Sequence, residues 1–155
     1  MNYEETKAIV EQSLKDLGVN PADAAGPNKG QWSITYKGST VWIDVFNFET
    51  QPERYYVQVM SPLLAAPTKN QASFYQNVLE INSLLYGCAI CKKDAWLYVI
   101  NIRESVGLDK SEFDATLDRV AFYSSDYKGK LSFKYEGSWD AVPSSGDGGK
   151  APGSA

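Results

Sequence analysis

The stretch 74–103 constrains this chain most. Phe74, Val78, Ile81 and Leu85 recur at helical spacing, Gly87 interrupts them, and a hairpin follows whose second arm, 95–103, is the most apolar run in the protein. Side chains alternate faces along a strand, so Trp96, Tyr98, Ile100 and Ile102 share one side and Leu97 and Val99 the other. Neither side is suited to water. Such a strand belongs inside a sheet covered on both faces, by the chain's own helices or by another molecule.

The remaining elements arrange themselves around that strand. A helix is expected over 3–17, with Asn2 as N-cap, Glu5 as its capping-box partner, a stripe of Val10, Leu14 and Leu17, and Gly18 as the stop. Residues 19–30, rich in proline and glycine, read as a loop. Trp32, Ile34 and Tyr36 then alternate with Ser33, Thr35 and Lys37, and Lys37, Gly38 and Ser39 supply a hairpin turn. The second strand, 40–48, sets Val41, Ile43 and Val45 against Trp42, Phe46 and Phe48. The third, 54–60, sets Tyr55, Val57 and Val59 against Tyr56, Gln58 and Met60, and is expected to end before Pro62 and Pro67.

The middle helix takes Thr68 or Asn70 as its cap and closes at Gly87. Strands 89–91 and 95–103 are joined through Lys92, Lys93 and Asp94. A third helix opens at Asp109, carries Phe113, Leu117, Val120 and Ala121, and is expected to stop at Gly129, so that every helix ends at a glycine. Leu131, Phe133 and Tyr135 alternate with polar residues, which suggests a short edge strand or docking arm. The fold class expected is α+β, with a five-stranded antiparallel sheet and three helices in the order α-βββ-α-ββ-α. One domain is expected over 1–135. Residues 136–155 read as a Gly/Ser/Pro-rich tail too poor in apolar groups to offset the entropy of ordering.

Composition narrows the chemistry. The net charge is -4 and the fifteen Lys and Arg are scattered, whereas a phosphate backbone calls for a basic stripe, so no nucleic-acid partner is expected. No leader peptide and no apolar run of spanning length is seen, so a cytoplasmic protein without membrane contact is expected. Histidine is absent, which removes Ser-His-Asp and Cys-His nucleophile systems and histidine metal sites. Gly146, Gly148 and Gly149 follow no strand and open no helix, so they do not form a phosphate loop. Cys88 and Cys91 have redox-motif spacing, but they follow a helix and enter a strand, whereas a reactive thiol needs a helix N-terminus. They read as two structural thiols. The acids cluster in helix first turns and loops, where caps and solvated faces require them. No catalytic residue, metal ligand or cofactor is therefore assigned.

Asp44 stands apart, because it lies between Ile43 and Val45 on a strand that otherwise excludes charge. Buried, it would need a partner such as Lys37, Arg54 or Arg103, and without one its pKa would rise. The apolar and aromatic groups of the strands supply two sheet faces, and helices about 10 Å across, set against strands about 4.8 Å apart, can cover one face and little of the other. Some aromatic surface should remain for a partner protein or client peptide, or for a second copy in a homodimer. The candidate contact residues are Trp42, Phe46, Trp96 and Tyr98 of the sheet face, with the middle helix as the other candidate binding surface. Two alternatives stand beside this reading. Residues 61–68 and the arm could cover the face, or a small-ligand or enzyme pocket could form from Asp44, Arg103 and nearby tyrosines.

The element order, the meander 32–60, the segment Phe74-Tyr75-Gln76-Asn77-Val78-Leu79-Glu80-Ile81-Asn82 and the helix from Asp109 together resemble the type III secretion chaperone-like fold, and within it the YbjN-type family, described as sensory transduction regulators. The resemblance covers residues 3–127. It implies a small, acidic, cytoplasmic and often dimeric protein that binds protein segments on its surface and carries out no chemistry.

Overall fold

The computed structural model describes residues 1–140, so most of the expected tail, including its glycine cluster, lies outside the described residues. Helix α1 (Tyr3–Asp16) starts as its sequence dictates: the Asn2 side chain accepts from Glu5 N at 2.9 Å and the Glu5 carboxylate accepts from Asn2 N at 2.8 Å. A short helix, α2 (Pro21–Ala24), occupies part of the expected loop. Asn20 accepts from Ala22 N and Pro21 supplies the first helical residue, whose missing N–H costs nothing there.

Strands β1 (Gln31–Tyr36) and β2 (Ser39–Phe48) form a hairpin about Lys37 and Gly38, and β3 (Gln51–Ala65) returns antiparallel to β2. Helix α3 (Gln71–Asn82) leads to β4 (Ala89–Lys93), β5 (Trp96–Glu104) and the long helix α4 (Lys110–Lys134). The sheet order is β1-β2-β3-β5-β4 with every neighbour antiparallel, so β5 is an interior strand, as its two apolar sides require.

Four expectations are corrected. Strand β3 does not end at Pro62. Its pairing with β2 finishes at Met60, beyond which only β5 flanks it, and a register shift between Pro62 and Leu64 absorbs the proline. A residue without an N–H is tolerated at such a bulged, one-sided position. Secondly, four helices rather than three precede residue 140. Thirdly, of the three expected helices only α1 stops at the glycine assigned to it: α3 ends five residues before Gly87, and α4 runs through Gly129. Fourthly, residues 131–135 are not a strand. Leu131 and Tyr135, four apart, share the buried side of α4 at 1% and 7% exposure, while Phe133 points outward at 85%. Packing also continues past residue 135: Ser138 is fully buried and Trp139 Nε1 donates to Ala65 O at 2.8 Å.

Gly129 lies mid-helix with nothing described within 4 Å of where a Cβ would stand. Gly129→Ala should therefore stabilise the protein by about 0.5–1 kcal/mol, read as a higher urea midpoint at unchanged m-value.

The helices all pack on one side of the sheet. Val10 and Leu14 of α1, Phe74, Val78 and Ile81 of α3, and Phe113, Leu117, Val120 and Leu131 of α4 join Trp32, Ile34, Val41, Ile43, Val45, Val57, Val59, Leu97 and Val99 in one core. Polar pins fix the docking of α4. Tyr36 Oη donates to Asp118 at 2.5 Å, and Ser124 Oγ donates to Pro62 O at 3.1 Å.

Candidate protein-binding face

The other side of the sheet carries its own apolar cluster, built from Trp42, Met60 and Tyr98 with Cys91, Trp96 and Ile100 against them. Strand alternation and register produce it. Trp42 pairs with Met60 and Met60 with Ile100, while Cys91 pairs with Tyr98, so side chains from β2, β3, β5 and β4 meet in adjacent rows. No residue of a helix belongs to this cluster among the described residues.

All four sequence-selected residues lie on this side. Trp42 and Tyr98 form its floor, 8% and 3% exposed with ring centroids 6.2 Å apart, and Phe46 and Trp96 are half-buried around them. Phe46 also stacks on Tyr56 at 5.8 Å and meets Phe48 edge-on at 5.4 Å, extending the aromatic surface towards the β2–β3 turn. Met60, Gln58 and Cys91 complete the face. Their place beside Trp42 depends on which strands are neighbours, which local alternation does not reveal.

Neither segment expected as a possible cover forms a loop or arm laid over this face among the described residues. Residues 61–65 are part of β3, and the supposed arm is helix, its Leu131 and Tyr135 packed in the helix-side core.

Asp44 sits on the same side, 7% exposed, two residues along β2 from Trp42 and opposite Gln58 on β3 and Gln31 on β1. Its expected cationic partners are all engaged elsewhere. Lys37 pairs with Asp118 at 2.9 Å, Arg54 with Glu104 at 3.3 Å, and Arg103 with Glu112. Burial pushes the Asp44 carboxyl above the ordinary aspartate value, and a hydrogen bond from the Gln31 side chain offsets part of that shift. Arg103 is one residue out of phase with Ile102, which shares the row of Gln58, so it lies on the opposite side of the sheet from Asp44. The pocket suggested from Asp44 and Arg103 is thus not assembled.

A depression of about 350 Å³ opens beside Asp44, lined also by Gln58, Met60, Lys93, Tyr98 and Ile100. The two thiols do not converge on it or on each other: Cys88 packs with the helix-side core and Cys91 with the second face. Burial holds both as thiols, pushing Cys88 up to about 11 and raising Cys91 as well, so neither is an activated nucleophile. No described helix is long and apolar enough to cross a membrane.

No protein-family model matches the sequence, and no curated protein matches it. Solved structures do. A chain of the crystal structure of the ExsC-ExsE complex superposes with a TM-score of 0.63 at 9% identity, covering 84% of this chain and 97% of that one. A chain of the HopA1-SchA chaperone-effector complex superposes with a TM-score of 0.58 at 9% identity, covering 79% and 92%. At such low identity the likeness concerns the fold alone, and the chain has the α+β type III secretion chaperone-like fold.

Proposed function

We propose that this protein is a non-catalytic, chaperone-like binding module that holds a segment of a partner protein against the second sheet face, with Trp42, Phe46, Trp96 and Tyr98 as contact residues. One observation carries the reading: the helices bury their apolar residues on one side of the sheet, yet a second aromatic cluster is built on the other from sheet residues alone. Half-buried Phe46, Trp96 and Ile100 offer contact area, and the rigid floor beneath them limits the entropy lost on binding. The similarity in fold to a chaperone-effector complex supports the same assignment.

The reading extends to a cytoplasmic homodimer with a regulatory use, as the YbjN resemblance implies. Leu79, Leu84 and Tyr86, on and just after α3, are 71%, 66% and 74% exposed, and Phe122 of α4 is 56% exposed. This second apolar surface is the one assigned to self-association.

Affinity capture from a cytoplasmic lysate, followed by titration of the captured protein, tests both parts. A Phe46→Ser/Trp96→Ser double variant should lose about 30-fold or more in affinity with an unchanged circular dichroism spectrum. A Leu79→Glu variant should keep the partner and become monomeric by light scattering. Undiminished capture by the double variant would overturn the sheet-face reading, and a monomeric wild type would overturn the dimer.

A further inference from the structure

Asp44 is a carboxylate set into an apolar, aromatic face and more than nine-tenths buried, and its described neighbours across the strands are the uncharged amides Gln31 and Gln58. It also lines the depression beside it, so its side chain is within reach of a group entering from that side. By strand alternation the other charged side chains on this face are Lys93 on β4 and the Arg54–Glu104 pair. Lys93 lines the same depression from β4, three strands from Asp44 and without an ion pair to it among the described residues, and the Arg54–Glu104 pair satisfies itself.

We infer that the depression around Asp44 takes a basic side chain, preferably arginine, from the partner segment, with apolar residues on either side of it resting on Trp42, Met60, Tyr98 and Ile100. This deepens the proposed function and rests on it.

The energetics favour such a pairing. A buried ion pair usually gives back in desolvation much of what it gains in attraction. Here the carboxylate has already lost part of its water in the free protein, so part of the desolvation cost of the pair belongs to folding rather than to binding. A guanidinium is less strongly hydrated than an ammonium and can engage both carboxylate oxygens, which is the reason for preferring arginine. The same chemistry disfavours acidic segments, since a second carboxylate would be placed against Asp44 in a poorly solvated site.

Selection of a random 12-residue peptide library on the full-length protein, and in parallel on Asp44→Asn, tests the inference. The amide can still accept from Gln31 and removes a buried charge, so the variant should be at least as stable as the wild type, which thermal unfolding checks. The expected result is enrichment of arginine or lysine flanked by apolar residues on the wild type, and loss of that basic preference on Asp44→Asn. Replacing the enriched basic residue by alanine should weaken binding about 10- to 100-fold on the wild type and leave binding to the variant unchanged. Enrichment of apolar peptides without basic residues would overturn the inference and leave the proposed function standing. Absence of any enriched motif would overturn both. A basic motif that emerges only when Lys150 is replaced by alanine would assign the site to the chain's own C-terminal segment, against the proposal.

Discussion

Phe74→Ala should lower the stability of the protein by about 3–5 kcal/mol, seen as a large fall in the urea midpoint. Phe74 is fully buried, and its ring meets Tyr75 at 5.5 Å, Tyr135 at 5.1 Å and Trp139 at 5.9 Å, all nearly edge-on. The side chain therefore ties α3 to the last turn of α4 and to the residues beyond it. Tyr135 reinforces the joint by donating from its hydroxyl to Ser73 O at 3.1 Å. A loss of this size is a large share of the 5–15 kcal/mol typical of a domain. Amide hydrogen exchange over 131–139 should accelerate along with it. Phe133→Ala is the control: with the ring 85% exposed, its effect should stay within about 0.5 kcal/mol. Equal losses for the two variants would contradict the packing described for the C-terminal turn.

Gly30→Ala is the second large effect, about 3 kcal/mol of destabilisation. Gly30 adopts a left-handed backbone at φ +83°, and a Cβ there would run into the main-chain oxygen of Val45 and crowd the Tyr3 ring at 3.3 Å. The contact cannot relax easily, because Gly30 O accepts from Val45 N at 2.8 Å and so fixes the loop end against β2. Gly18 separates the two causes. It has a similar φ of +77° with nothing described within 4 Å, so Gly18→Ala should incur only the backbone strain, about 1–2 kcal/mol. If both alanine variants lose the same amount by chemical denaturation, steric closure at Gly30 is not the cause.

Local chemistry was readable wherever the stabilising contacts are close in sequence. The capping box of α1 needs only Asn2 and Glu5, and the β1–β2 hairpin only the alternation from Trp32 and the turn at Lys37 and Gly38. The failures come from contacts distant in sequence. Leu131 and Tyr135 fit a strand period and a helical one alike, since residues four apart share a side in both; Phe133 fits only the strand period, and packing of Tyr135 against Phe74 selects the helix. Pro62 looked like a strand end because the loss of β2 as a neighbour after Met60, which makes the proline tolerable, depends on the sheet's pairing. Asp44 was legible as an anomaly. Its partner was not, because Gln31 becomes its neighbour only through the β1–β2 register.

The candidate face divides in the same way. That Trp42 and Phe46 share a side of β2, and Trp96 and Tyr98 a side of β5, follows from the sequence, because alternation is a property of the extended backbone itself. That both sides of these strands are apolar, and that histidine-based chemistry is excluded, is likewise a matter of residue identity. The tertiary structure alone decided that the two pairs lie on one face, that the helices settle on the other, and that Asp44 and Arg103 are separated by the sheet. The order β2-β3-β5 and the docking of α4 are fixed by contacts between residues far apart in the chain, and no local pattern encodes which of two apolar faces a helix will cover.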